Sequence, residues 1–469
     1  MNNYIHQNGL VYIKKILIPF LETVKIINEL REIKPYSNSR RYKPNPLNVY
    51  MNNKDYHIFP RMFGLRIIKK LGLSFNFNRD SKITSGDDMK RVYESKFQLR
   101  DYQEKACEVL QDLYKNKKTC FGGILKMPTG SGKTFVSLEF AKRINKKTLI
   151  LVKMIDLANQ WKDQIIKFFG SDVSISILNL FRDLDKGRES IIESDFIICT
   201  VDTARERGGF YKYNWIDLVS VGLVIIDEIH SIMSGHLITV LNVASRRFVI
   251  GITATPKLFS GLEVLMKYYV GPILFELKDT YKGSRAVINM INYKSQDSSY
   301  RVIKKFTFGL NKGEINHQKT LINTLKDPDR FDLILRIIYK CIKDPKIRRI
   351  IVICKFRKTI EDINTKLEEK KKGISGIFYA TSDREAIKDT LENRRVILAI
   401  VNLAKESLDV HDCNCLIILT PPVIKRDENN EWSTTSLDQM IGRCYRQDWT
   451  QDLTPQIYVI NDTFGYFNN

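Results

Sequence analysis

A chain of 469 residues and 54.6 kDa is too long for one small module and sets an expectation of about three domains. With 43% hydrophobic and 27% charged residues it can bury sizeable cores, which excludes wholesale disorder and a collagen-like chain. Lys and Arg exceed Asp and Glu by 22, with a pI near 9.5, so the molecule attracts polyanions and nucleic acid is the first partner to consider.

Residues 1–96 read as a small N-terminal α+β domain. The apolar spacing of Leu21, Val24, Ile27 and Leu30 predicts a helix over 21–33, and short strand-like pieces follow it. Residues 1–98 carry 18 Lys and Arg against 8 Asp and Glu, which reads either as a solvated surface or as a face that docks nucleic acid or a partner. The apolar stretch 16–21 is short, contains Pro19 and follows Lys14 and Lys15, which argues against both a signal peptide and a membrane span. Eight cysteines and six histidines are dispersed without a paired C-x-x-C, so neither a zinc site nor a disulfide framework is indicated. The expected location is cytoplasmic or nuclear, with no membrane partner.

From residue 97 the pattern changes to continuous apolar runs at 121–126, 148–153, 196–200, 223–226 and 248–253, alternating with helical stretches such as 134–143 and 156–168. β-branched runs of that kind are what a parallel sheet buried on both faces requires, so 97–275 reads as a doubly wound α/β domain. Residues 276–325, with Gly283, Gly309, Gly313 and polar runs, read as a connecting segment. Strand-like runs resume at 349–354, 374–380, 396–400, 416–419 and 457–460, making 326–469 a second α/β domain of the same type.

Met127-Pro-Thr-Gly-Ser-Gly-Lys-Thr134 follows a predicted strand and opens a predicted helix, the context of a phosphate-binding loop. Thr129, Gly130, Ser131 and Gly132 supply backbone N–H groups that can surround phosphate oxygens, with the two glycines allowing close approach. Lys133 adds a point charge for the β and γ phosphates, and the Thr134 hydroxyl is a hard ligand suited to Mg²⁺. Met127 stands where the general pattern has its first glycine. Leu223-Val-Ile-Ile-Asp-Glu-Ile-His230 is an apolar strand ending in two acids, where Asp227 can serve the Mg²⁺ shell and Glu228 can orient and deprotonate an attacking water. In the second domain, Gln439, Arg443 and Arg446 are spaced by four and three residues and share one face of a helix. Guanidinium groups so placed can act as arginine fingers on a γ phosphate.

With these motifs in this order over 97–447, the chain resembles a superfamily 2 DExH-box helicase, which implies two tandem RecA-like domains with ATP and Mg²⁺ as cofactors. Within that resemblance, the Leu-Arg-Asp-Tyr-Gln segment ending at Gln103 is similar to the motif that reads adenine. The run from Thr148 to Lys153 and on to Trp161 resembles a motif that touches the nucleic-acid backbone, with Lys153-Met154 in place of the usual Pro-Thr. Thr200 lies in a second such motif. Thr253 and Thr255 lie in the motif that couples nucleotide state to strand binding. In the second domain Lys355 and Asn402 correspond to strand contacts, and Asp409 to a ribose contact, with Ser407 where Gly is usual.

The opening segment, the Asn-Gln-Trp run and Ile58-Phe-Pro-Arg-Met-Phe-Gly-Leu65 resemble a DNA-directed group. That group comprises the xeroderma pigmentosum group B-like helicase of the general transcription factor and the transcript-release helicases of poxviruses and other large DNA viruses. The resemblance implies a 3′→5′ DNA helicase or translocase, monomeric as a motor unit, acting on single-stranded or tailed duplex DNA beside the transcription machinery or in DNA repair or recombination. If viral, it would work in the virion or at a cytoplasmic replication site. An ATP-dependent RNA helicase and an ATP-gated nucleic-acid-binding module without unwinding are the alternatives.

Overall fold

The computed structural model describes residues 4–463 except for 8, 32, 34–46, 48, 76, 81, 83–84, 116–121, 129, 179–187, 210–219, 234–236, 255–261, 278–285, 308–311, 379–383, 402–409, 411, 421–424, 427–431, 434–440 and 442–452. The chain divides into two compact units, Met1–Thr280 with Lys425–Ser433, and Tyr281–Ile424 with Thr434–Asn469.

The first unit begins with an antiparallel sheet of β1 (Tyr4–Gln7), β2 (Leu10–Lys14), β3 (Met51–Asn52) and β4 (Tyr56–Pro60), in the order β1-β2-β4-β3. Alternation along β2 turns Val11 and Ile13 inward, where they meet Phe59 of β4. Helix α1 (Phe20–Arg31) lies near the expected bounds, but its buried residues are Ile26 and Leu30. Leu21 and Val24, expected on the buried stripe, are 75% and 39% exposed. Helix α2 (Arg61–Lys70) follows β4 directly and buries Arg61, Phe63, Ile67 and Ile68.

Seven parallel strands then form the central sheet of the unit: β5 (Gly122–Lys126), β6 (Thr148–Val152), β7 (Ile175–Leu178), β8 (Phe196–Thr200), β9 (Leu223–Ile226), β10 (Phe248–Thr253) and β11 (Ile273–Glu276). Their order is β11-β5-β10-β9-β6-β8-β7. The five strands expected from continuous apolar runs are the five central ones. The edge strands β7 and β11 are half-exposed and carry no such run. Helices α3 (Asp101–Lys115), α4 (Lys133–Ile144) and α5 (Ile155–Phe169) contribute to one core, while α6 (Val201–Gly209) and α7 (Glu263–Tyr269) belong to the opposite face. The strands feed both cores by alternation. Ile150 and Val152 of β6 join Val136, Phe140 and Ile165, whereas Leu149 and Leu151 join the other cluster.

That second cluster also holds Val11, Phe59, Phe63 and Ile67, so the N-terminal domain shares its core with the central sheet instead of forming a separate one. Phe63 meets the ring of Tyr268 edge-on at 4.7 Å, and Glu29 accepts hydrogen bonds from Tyr268 and Arg66. Arg61 is fully buried, and its Nη1 donates to the Arg246 carbonyl at 2.6 Å. At the hairpin turn a Cβ on Gly9 would lie 1.8 Å from the Leu241 carbonyl oxygen, a contact only glycine allows. The segment 58–65 singled out in the sequence is therefore the plug that docks the small sheet onto the large one.

The second unit contains a six-stranded parallel sheet. Its chain supplies β12 (Val287–Tyr293), β13 (Arg349–Cys354), β14 (Ser375–Phe378), β15 (Val396–Ile400) and β16 (Cys413–Ile418). The two-residue strands β17 (Lys425–Arg426) and β18 (Trp432–Ser433), which belong to the first unit, pair with each other, and β19 (Gln456–Asp462) completes the second unit's sheet, whose order is β12-β19-β16-β13-β15-β14. The stretch 276–325, expected as a connection, instead supplies the edge strand β12 and helix α8 (His317–Leu325) to this unit. As an edge strand β12 leaves Val287, Ile288 and Met290 half-exposed and interleaves them with Asn, so it lacks the unbroken apolar run of a central strand.

Helix α9 (Pro328–Lys343) starts with Pro328 in its first turn and the Asp327 carboxylate accepting from the Asp329 N–H. Its Arg330 is 1% exposed and pairs with Asp462 through Nε to Oδ1 at 2.7 Å and Nη2 to Oδ2 at 3.0 Å. Nη2 also donates to the Leu419 carbonyl. The six cysteines among the described residues are buried and free. Among the described residues no helix is long and apolar enough to cross a membrane.

Removing one partner of a buried ion pair strands the other charge, a loss of about 3–5 kcal/mol. Asp462→Ala is therefore expected to move the second unit's urea unfolding transition to lower concentration. An unchanged midpoint would show that the pair contributes nothing.

Candidate functional site

Strands β5, β10 and β9 are neighbours, so the segments leaving their C-terminal ends gather at one edge of the sheet. After β5 the chain turns through Gly130 at φ 82° and Gly132 at φ 80° before α4 begins at Lys133. Consecutive amides in such a turn, followed by a helix N-terminus, present N–H groups to an anion. The loop is braced from α3. The Ser131 carbonyl accepts from the Tyr102 hydroxyl at 3.0 Å and from Gln103 Nε2 at 2.9 Å, and the Ser131 hydroxyl donates to the Pro128 carbonyl. Gln103, expected to read adenine, is 6% exposed, and its Oε1 accepts from the Arg100 N–H. Its amide thus ties the loop to the start of α3. A Cβ on Gly132 would lie 2.2 Å from Gln103 Nε2.

The acidic pair follows β9. The Asp227 N–H donates to the Leu151 carbonyl at 2.9 Å, and Trp161 Nε1 donates to Asp227 Oδ2 at 2.8 Å. Burial raises the Asp227 carboxyl above the usual carboxylate range, and the neighbouring Glu228 charge adds to the rise. The Trp161 hydrogen bond and the Lys133 charge oppose it. Glu228 is left-handed at φ 43°, ψ 56°, a conformation that costs a non-glycine residue about 1–3 kcal/mol and is often met at functional sites. Its Oε1 lies 3.6 Å from Lys133 Nζ, and Lys133 Nζ also donates to the Met127 carbonyl at 3.1 Å.

A chain of short contacts joins this pair to the third segment. His230 Nδ1 is 3.2 Å from Glu228 Oε2 and hydrogen-bonds Thr253 Oγ1 at 2.8 Å. The Thr253 carbonyl in turn accepts from the Met127 N–H at 3.0 Å, closing a circuit through β10 back to the phosphate loop. Thr253 is fully buried.

The donor set fits a hard divalent cation held jointly with a substrate phosphate. Asp227 is a desolvated carboxylate beside a second acid, and Thr134 places a hydroxyl in the first turn of α4, half-buried. Mg²⁺ is bound through one or two carboxylates plus substrate phosphate oxygens, a demand that Asp227 and Thr134 could meet.

The other expected residues are spread more widely. Lys153 is half-buried just after β6, and Lys355 is exposed just after β13, with its N–H bonded to the Thr420 hydroxyl. Thr200, expected as a strand contact, is 7% exposed at the junction of β8 and α6, where its hydroxyl donates to Thr203 Oγ1 at 2.8 Å and accepts from the Thr203 N–H at 3.4 Å. Thr129, Thr255, Asn402, Asp409, Gln439, Arg443 and Arg446 lie outside the described residues. Two participants, Tyr102 and His230, have no role of their own from sequence. Trp161 falls in the segment that resembles a strand-binding motif, and its place on an apolar helix face gives no sign of a carboxylate partner.

Residues 96–258 match the family described as Type III restriction enzyme, res subunit, and residues 329–448 match the Helicase conserved C-terminal domain, together more than half of the chain. With the loop and acid box in the first of these domains, the chain belongs to the superfamily 2 helicases and is an ATP-hydrolysing enzyme of that class. Within the superfamily it groups with the XPB-type and viral helicases.

The chain is 24% identical over 454 residues to L396 of Acanthamoeba polyphaga mimivirus, provisionally named an ATP-dependent RNA helicase, covering 94% of this chain and 79% of that one. It is 31% identical over 184 residues to the DNA 3'-5' translocase XPB2 of Sulfurisphaera tokodaii, covering 39% and 37%. Against 161L of Invertebrate iridescent virus 6, provisionally named a helicase, it is 29% identical over 252 residues, covering 52% and 50%. The chain thus spans half or less of the length of the last two relatives.

Gly132→Ala forces a side chain into the left-handed region, which costs about 1–2 kcal/mol, and drives it into Gln103. The variant is expected to bind a fluorescent ATP analogue roughly ten-fold more weakly or worse while its melting temperature changes little. Unaltered affinity would show that the loop does not need this turn.

Proposed function

We propose that the chain is an ATP-dependent 3′→5′ helicase or translocase acting on DNA. The observation that carries the motor reading is the convergence of Lys133, Asp227 and Glu228 on one sheet edge, with His230 tying Glu228 to Thr253. In this reading Lys133 binds the β and γ phosphates, and Asp227 and Thr134 hold Mg²⁺. When bound, that ion neutralises phosphate charge. Glu228 orients a water and takes its proton as the bond to the γ phosphorus forms and the bond to the departing ADP oxygen breaks. Gln439, Arg443 and Arg446 are assigned to the charge that develops on the γ phosphate, and Asp409 to the ribose. Thr129, Gly130, Ser131 and Gly132 supply the cradle.

The left-handed backbone at Glu228 supports this assignment, because strain of that kind is retained where geometry at the reacting groups demands it. Thr253 and Thr255 pass the nucleotide state toward the strand contacts Lys153, Lys355 and Asn402. Contact through Lys and backbone-directed groups is sequence-independent and weakens with salt.

The 31% identity to a protein named a DNA 3'-5' translocase supports DNA and the polarity. The second reading, an RNA helicase, is favoured by L396, whose match spans nearly the whole chain. The viral relatives favour a viral protein, for which the place proposed is a viral replication site or the virion, beside the transcription machinery.

Parallel ATPase assays with single-stranded DNA, duplex DNA and RNA, followed by unwinding of 3′- and 5′-tailed duplexes, separate these readings. DNA is expected to stimulate hydrolysis more than RNA, and the 3′-tailed duplex to open. Stimulation by RNA alone would replace the DNA reading with the RNA one.

A further inference from the structure

Trp161 is 3% exposed and sits on α5 among residues such as Ala158 and Ile165, where an indole would ordinarily be explained by packing alone. Its ring nitrogen nevertheless donates to Asp227 Oδ2 at 2.8 Å. An indole N–H can only donate, so this bond engages a carboxylate oxygen as an acceptor and leaves Oδ1 for another partner. The Asp227 N–H is fixed separately by the Leu151 carbonyl. The backbone N–H of this acid is therefore held from the neighbouring strand and one of its carboxylate oxygens from α5.

The helix making the second bond starts at Ile155, two residues after Lys153, the proposed strand contact. Six residues separate Ile155 from Trp161, about 9 Å along a rigid helix. A group that rotates or shifts α5 at its N-terminus would carry the indole, and with it Asp227 Oδ2.

We propose that Trp161 is a positioning residue: it aims the Asp227 carboxylate and links it mechanically to the helix that begins at the strand contact. This rests on the reading of Asp227 as the acid that serves Mg²⁺. Partners standing behind metal-ligating groups typically contribute 10–100-fold to metal affinity or activity.

The test uses the full chain and three measurements. Trp161→Phe keeps the ring and removes the donor. At saturating ATP the Mg²⁺ concentration for half-maximal hydrolysis is expected to rise roughly ten-fold or more, and stimulation by single-stranded DNA to shrink. The KM for ATP at saturating Mg²⁺ is expected to stay near the wild-type value. A residue that only fills the core would lower the melting temperature and leave Mg²⁺ dependence and stimulation unchanged, and that result would overturn the proposal.

The second measurement needs no Trp161 variant. In ¹⁵N-indole spectra of the nucleotide-free protein, which has four tryptophans, Asp227→Asn is expected to shift one indole N–H resonance. No shift in any of them would overturn the link. The third is turnover of Asp227→Asn itself. Loss of turnover with an unmoved indole removes only the Trp161 link, whereas wild-type turnover removes the reading of Asp227 and the proposal with it.

Discussion

Two carboxylates adjacent in sequence stand at the end of a strand buried on both faces, and their charge must be compensated there. Asp227 and Glu228 would repel each other in a dry site, and desolvation raises the first of them. Lys133, arriving from the neighbouring loop, lies 3.6 Å from Glu228, a separation at which opposite charges attract by about 4 kcal/mol at an effective dielectric near 20, before desolvation is subtracted. An uncompensated acid here would favour its neutral form, and a protonated Glu228 could not accept a proton from water. The loop, the acid box and β10 are therefore mutually dependent, and the 3.0 Å hydrogen bond from the Met127 N–H to the Thr253 carbonyl joins the loop to β10 directly.

The surrounding fold supplies rigidity in proportion. Central strands send alternate residues into two separate cores, so a shift in any one of them would disturb both faces of the sheet. One face is closed by α3, α4 and α5, which reach the site through Gln103, Lys133 and Trp161. The other is closed in part by the N-terminal sheet, whose Arg61, Phe63 and Gly9 contacts with the central domain leave little freedom at that junction. Rigid support behind the phosphate loop suits chemistry that depends on position and charge more than on covalent participation by the protein.

The central strands and the phosphate loop were legible because parallel strands buried on both faces demand unbroken β-branched runs, and because glycine spacing before Lys133 serves a specific backbone shape. What escaped prediction lies where burial is one-sided or where a polar side chain turns inward. β12 alternates with Asn because it is an edge strand, and so read as a connection. In α1 the apolar spacing suggested Leu21 and Val24 as core residues, yet the helix packs through Ile26 and Leu30. Thr200 and Gln103 match motifs whose polar groups face a ligand, and the hydrogen bonds they make to Thr203, Arg100 and Ser131 are not visible in the motifs. The Asp227 partner of Trp161 was not legible, since the tertiary fold is what brings α5 against the end of β9.

The role proposed for Glu228 is that of the base acting within a preformed charge arrangement. Its most direct test is Glu228→Gln, measured for ATP binding at equilibrium and for phosphate release with single-stranded DNA present. Binding is expected to persist while release falls roughly 10²–10⁴-fold, since the amide preserves shape but cannot take a proton. Phosphate release at the wild-type rate would contradict the account.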